Sequence, residues 1–282
     1  MTNDESKLYY YYCTSDVFKS IITNQKFWLT AITDLNDYTE VNWTFKTIWP
    51  IVRDKLLSVK KEKAEIIMML DNDVNVNVFQ DYKFYVICFS KNKDSLSQWR
   101  GYAEDGKGFC IGIDLNNITT NNSPFRSKDY KRALGYNDII YNQDKQIEIL
   151  FDLLNSILDS GDSPYLLAHM NLIGFAPRFK NPYFDVENET RLIFCADLSN
   201  GIVTNCESNG MVMGLYPHIN NLGILTTHIE IDLFKCNPSG CIKKVILGPK
   251  NRTNKETVIE LMQANGFSIN EDDVEMSQGT YR

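Results

Sequence analysis

Histidine is scarce in this chain: three residues among 282, with no CxxC or HxxxH pair anywhere. A zinc site of the usual spacing is therefore not expected. Cys236 and Cys241 enclose only "NPSG", and Cys206, His218 and His228 lie without ligand-like spacing between them. The seven cysteines form no paired framework, and an odd count inside apolar runs suits a reducing compartment. Cys13, Cys88, Cys110 and Cys195 read as small buried hydrophobes. No apolar run approaches the length of a membrane-spanning helix, and "MTNDESKLYY" lacks the positive-then-apolar pattern of a signal peptide. A cytoplasmic protein with no membrane partner is expected. A basic excess is also missing. The formal net charge is −7 with both signs mixed along the chain, which argues against duplex binding through bulk charge.

What is present is a hydrophobic fraction of 43%, enough for a sizeable core. Strand-like runs recur from "KLYYYYC" (7–13) through "KFYVICFS" (83–90) and "GFCIGIDL" (108–115) to "THIEIDLFK", "KKVILG" and the terminal "DVEMSQGTYR". Helical patterns follow Thr14, run on from Pro50, cover 144–159 and "YLLAHMNLIGFA", and start again near Asn254. No repeat or long linker divides them. One α+β domain over residues 1–282 is expected, with helical insertions near 45–72 and 142–178.

Some apparent motifs dissolve. "GKGFCIG" places its third glycine one position late for a dinucleotide fingerprint and inside a strand, so Gly106 and Gly108 shape a turn. His169 lies in a helix among apolar residues, and no nucleophile motif accompanies it.

Three segments remain. Four consecutive tyrosines in "YYYYCTS" bury much area, yet hydroxyls on both faces are hard to satisfy in a core, so at least one should reach a cleft or solvent. "CFSKNKDSLSQWRGYAEDGKG" turns polar at Ser90 and then offers Trp99, Arg100 and Tyr102. It is either an aromatic shelf for a flat ring or a surface loop anchored by Trp99. Finally, "YFDVENETRLIF", Tyr183 to Phe194, reads as a strand with Glu187, Glu189 and Arg191 on one face, roughly 6–7 Å apart. That face is either solvated charge pairing or a carboxylate kept ionised by Arg191 on a rigid strand.

Taken together, "YCTS…IITNQKFWLT…LND…E", "CFS…S…WRGYA…GKGFCIGID", "K…YFDVENETRLIF", "VILGP" and the terminal "S…TYR" resemble the bacterial family catalogued as domain-of-unknown-function family 2971. The order of blocks in turn looks like the ADP-ribosyltransferase fold, a split β-sheet core. That likeness implies NAD as co-substrate and no metal. It implies catalysis by Glu189 and Glu187, with Tyr12, Ser90, Trp99, Tyr102 and Arg191 around the donor. It also implies a macromolecular acceptor, nucleic acid or protein, and the setting of a toxin or phage-defence effector with an antitoxin or defence-system partner. The sequence departs from that pattern at Tyr12, where a His or Arg is expected, and in supplying one serine after the middle strand. Two other readings stay open: a non-catalytic module binding a nucleotide or partner, and a metal-dependent hydrolase or nuclease using these acids with Asp37 and Glu40. Asn36-Asp37 is read as a turn.

Overall fold

A computed structural model describes residues 7–35, 40–76, 82–115, 132–161, 163–197, 212–219, 223–232 and 240–281. It is a mixed α and β structure, built on one ten-stranded sheet that is antiparallel except at one edge. The strands are β1 Leu8–Cys13, β2 Lys26–Ala31, β3 Tyr82–Ser90, β4 Phe109–Asp114, β5 Arg132–Asp138, β6 Glu189–Asp197, β7 Val212–Ile219, β8 Leu225–Asp232, β9 Ile242–Leu247 and β10 Val274–Met276. The tyrosine run, "KFYVICFS" and "GFCIGIDL" are strands as expected. β5 and β7 were not legible, because "RALGYND" and "VMGLYPHI" mix Gly, Pro and polar residues without clean alternation.

The sheet forks at β3. One edge of β3 pairs with β6 along its whole length, from Tyr82↔Asp197 to Ser90↔Glu189. The other edge is shared: β1 meets it at Tyr10↔Ser90, while β2 meets it at Thr30↔Val86 and Ala31↔Tyr85. β1 continues toward β4 and β9, and β2 toward β8 and β7. The two halves of the sheet therefore part along one strand.

Each face of β3 is covered, as its alternation requires. Tyr85, Ile87 and Phe89 pack with Phe18, Ile21 and Ile22 of helix α1, Ser15–Asn24, and with Val258 and Met262 near the C-terminus. Thr14 caps α1, its side chain accepting from the Val17 amide. On the opposite face Phe84 and Val86 lie under the helical insertions. The first insertion contains α2 Glu40–Trp43, a π-helical turn over Thr44–Ile48, α3 Trp49–Val59 and α4 Ala64–Val76. The expected continuous helix after Pro50 is thus two helices, interrupted by a 3-10 turn at Lys61–Lys63. Helix α5, Leu96–Tyr102, follows β3; the second insertion holds α6 Gln143–Asp159 and α7 Pro164–Phe175, and α8 Lys255–Ala264 precedes the last strand. Among the described residues no helix is long and apolar enough to cross a membrane.

Candidate functional site

The segment Tyr183–Phe194 is not one strand. Pro182–Glu187 forms a 3-10 helix, and the strand starts only at Glu189. Asn181 accepts from the Tyr183 amide, Pro182 fixes the first helical φ, and Asn188 turns the chain out in the left-handed region at φ 45°. Glu187 therefore reaches the site from a turn rather than from a strand face. Glu189 and Arg191 keep the expected two-residue relation on β6, and Phe184 and Val186 are not part of an apolar strand face.

Glu189 is buried at the head of β6, opposite Ser90. Arg191 grips it from behind: Nε lies 2.6 Å from Oε1, and Nη2 3.1 Å from Oε2. Lys180 stands on the other side, with Nζ 3.2 Å from Glu189 Oε2 and 2.6 Å from Glu187 Oε2. Burial by itself would raise the Glu189 pKa; the charges of Arg191 and then Lys180, with hydrogen bonds from Arg191 and Cys88, outweigh it and hold it at about 2. The carboxylate is thus ionised at any physiological pH. Tyr141, which the sequence did not single out, accepts the Glu189 amide at 3.0 Å and fixes the backbone.

Glu187 also lines the cavity and is more exposed than Glu189. Its Oε1 accepts the Tyr102 hydroxyl at 2.9 Å. Burial, and then the Glu187 carboxylate, raise the Tyr102 pKa, so this hydroxyl stays a donor. Ser90 ties the turn to β3 by donating to the Glu187 carbonyl at 2.7 Å while accepting from the Asn92 amide. Tyr12 is buried, donates to the Asn92 carbonyl at 2.7 Å and accepts the Ser95 amide at 3.0 Å. Burial pushes its pKa up as well.

These groups border a cavity of about 480 Å³ in the fork of the sheet, within the range of small-molecule sites. Its walls include Tyr12 from β1, Trp28 and Thr30 from β2, Cys88 and Ser90 from β3, and Gln98 and Tyr102 from α5. Lys180, Phe184, Glu187 and Glu189 close the polar end. The tyrosine run does reach a cleft, through Tyr10, Tyr11 and Tyr12.

Two residues expected around a ligand stand elsewhere. Trp99 is buried behind Tyr12, edge-on to its ring at 4.8 Å, with its indole N–H given to Asp94 at 2.6 Å. It forms no open shelf; Trp28, Tyr102 and Phe184 line the cavity beside the tyrosines of β1. Arg191 is fully buried under Glu189 and also donates to the Pro177 carbonyl at 3.2 Å. Its contact is with the carboxylate rather than the cavity. Cys88 is only partly buried, unlike Cys13, Cys110 and Cys195; Cys88 and Cys13 both border the cavity.

Folding the β7–β8 hairpin brings His218 and His228 together, Nδ1 to Nδ1 at 3.2 Å, which their separation in sequence hides. Among the described residues, no three His, Cys, Asp or Glu side chains converge as metal ligands. Asn36, Asp37, Cys206 and Cys236, and the side chain of Glu40, lie outside the described residues.

Residues 98–192 match the family described as Protein of unknown function (DUF2971). The matched span contains Gln98, Trp99, Tyr102, Lys180, Glu187, Glu189 and Arg191, and stops short of the blocks that begin at Tyr12. No curated protein and no solved structure matches the chain.

Proposed function

We propose that the cavity bordered by this DUF2971 segment is the active site of an ADP-ribosyltransferase-type enzyme, with an ADP-ribosyltransferase-like split sheet, that takes NAD as co-substrate. The supporting observation is Glu189, a buried carboxylate held ionised in the wall of a ligand-sized cavity. Cleaving the nicotinamide–ribose bond sends the bonding pair to nicotinamide and leaves an oxocarbenium-like cation at C1′. A fixed negative charge stabilises that cation without reorganising during the reaction. Saturated with cationic donors, Glu189 is a poor proton acceptor and a good electrostatic partner. Glu187, the more exposed of the two acids, takes the proton of an acceptor nucleophile as it bonds to C1′. Tyr102, Trp28 and Phe184 offer faces for the departing ring. The acceptor is a macromolecule, nucleic acid or protein, modified in the manner of a toxin or defence effector.

Isotope-labelled NAD tests this reading directly. The purified protein should bind NAD and, in a cell lysate, release nicotinamide while transferring label to macromolecules. A protein that neither binds NAD nor consumes it in lysate is not such an enzyme.

A further inference from the structure

Two glutamines are buried among the described residues, and they differ in one respect. Gln146 is saturated: it accepts the Trp43 indole N–H and donates to the carbonyls of Ile140 and Lys180. Gln98 is 7% exposed and borders the cavity, yet its carboxamide has no hydrogen-bond partner among the described residues. The other buried polar side chains of the cavity wall, Ser90, Lys180 and Glu189, are all paired. Neither atom of that carboxamide is among the buried polar atoms without a partner, so the group keeps access to the open space of the cavity, where a ligand can pair with it. Its orientation has a simple cause: Gln98 and Tyr102 are four residues apart on α5 and share one helix face. The helix that presents Tyr102 to Glu187 therefore presents Gln98 to the same space.

The cavity also holds a rigid flat surface. Trp28 is 43% exposed and borders the cavity, while its indole stacks on the buried His228 ring at 3.8 Å and 19°. A backed indole beside an open space suits a planar ligand group at little entropic cost.

We propose that Gln98 is the specificity-determining residue of this cavity: it pairs with a planar ring carrying one hydrogen-bond donor and one acceptor side by side. A carboxamide-substituted pyridine and the amino edge of a purine share that chemistry. Gln98 supplies the complementary acceptor and donor in one group. A site built to bond such an edge discriminates strongly against an isostere lacking the donor, because the amide is then left unpaired again. The identity of the ring rests on the NAD reading; the role of Gln98 does not.

The experiment is equilibrium binding to the full chain, with Gln98→Leu and Gln98→Met beside wild type and thermal melts to confirm folding. One arm compares NAD with its 3-acetylpyridine analogue, which keeps the carbonyl and lacks the amide N–H. The other compares AMP with purine riboside monophosphate, which lacks the 6-amino donor and keeps the ring acceptors. Wild type should prefer the amino-bearing member of at least one pair by tenfold or more, and both folded variants should lose most of that preference. Preference confined to the AMP arm, with no NAD binding, would sink the NAD reading and leave Gln98 in its role. NAD binding that the variants reproduce with unchanged selectivity would overturn the Gln98 inference and spare the NAD reading. Failure of wild type to bind any of the four ligands would overturn it too, as would two variants that melt well below wild type while retaining its selectivity.

Discussion

Arg191→Met is expected to destabilise the protein by about 3–5 kcal/mol at neutral pH, the usual result of removing one partner from a buried ion pair. Arg191 has no exposed surface and holds both oxygens of Glu189. Without it, burial would dominate and the Glu189 pKa would rise above its ordinary range. In the native protein Arg191 and Lys180 hold the Glu189 pKa well below its ordinary value, so its ionised form stabilises the fold. The sign follows from the depressed folded-state value: this stability is present above the unfolded pKa and lost as pH falls through the folded one. The variant should therefore differ most from wild type above pH 5 and approach it toward pH 2–3, since a protonated Glu189 no longer needs the guanidinium. Adding Glu189→Gln should recover much of the loss. Denaturant melts at several pH values measure this, and a deficit independent of pH would mean that Arg191 acts by packing alone.

Lys180→Met should cost less, about 2–4 kcal/mol, and change the site more. Lys180 is the cation between Glu187 and Glu189, held through its backbone carbonyl by Gln146. Of the two charges that lower the Glu189 pKa it is the smaller contributor. Its removal leaves two carboxylates facing each other with only Arg191 beside them, and such pairs take up a shared proton. Glu189 should titrate at a higher pH than in wild type, by less than in Arg191→Met. Carbon-13 NMR of labelled glutamate carboxyls reads both shifts. An unmoved Glu189, or the reverse order of the two variants, would show that Lys180 does not set its charge.

Legibility divided along physical lines. β1, β3, β4 and α6 were readable because their patterns are local: alternation or an amphipathic period bounded by turn residues. Glu189 and Arg191 were readable for the same reason, two residues apart on one strand. The turn before them was misread because "YFDVE" alternates like a strand, while Asn181, Pro182 and Asn188 fix a 3-10 turn. Trp99 read either as part of an aromatic shelf or as the anchor of a surface segment; it is the buried anchor, with Asp94 five residues earlier accepting its indole N–H. The fork at β3 joins strands far apart in sequence, so nothing local announces it. Through that long-range pairing Lys180 and Gln98 come to the cavity and Tyr141 comes to the Glu189 backbone. The Asn181-Pro182 turn gave the one local hint, since it ties Lys180 to the acids that follow it.

The decisive measurement is single-turnover nicotinamide release from bound NAD by wild type and Glu189→Gln, at matched occupancy and in the presence of lysate. The glutamine is nearly isosteric and uncharged, so it should bind NAD comparably and release nicotinamide at least about a hundredfold more slowly, the order expected for losing one preorganised electrostatic contact. Release at the wild-type rate by Glu189→Gln, or none by wild type with NAD bound, would contradict a catalytic role for the charge on Glu189.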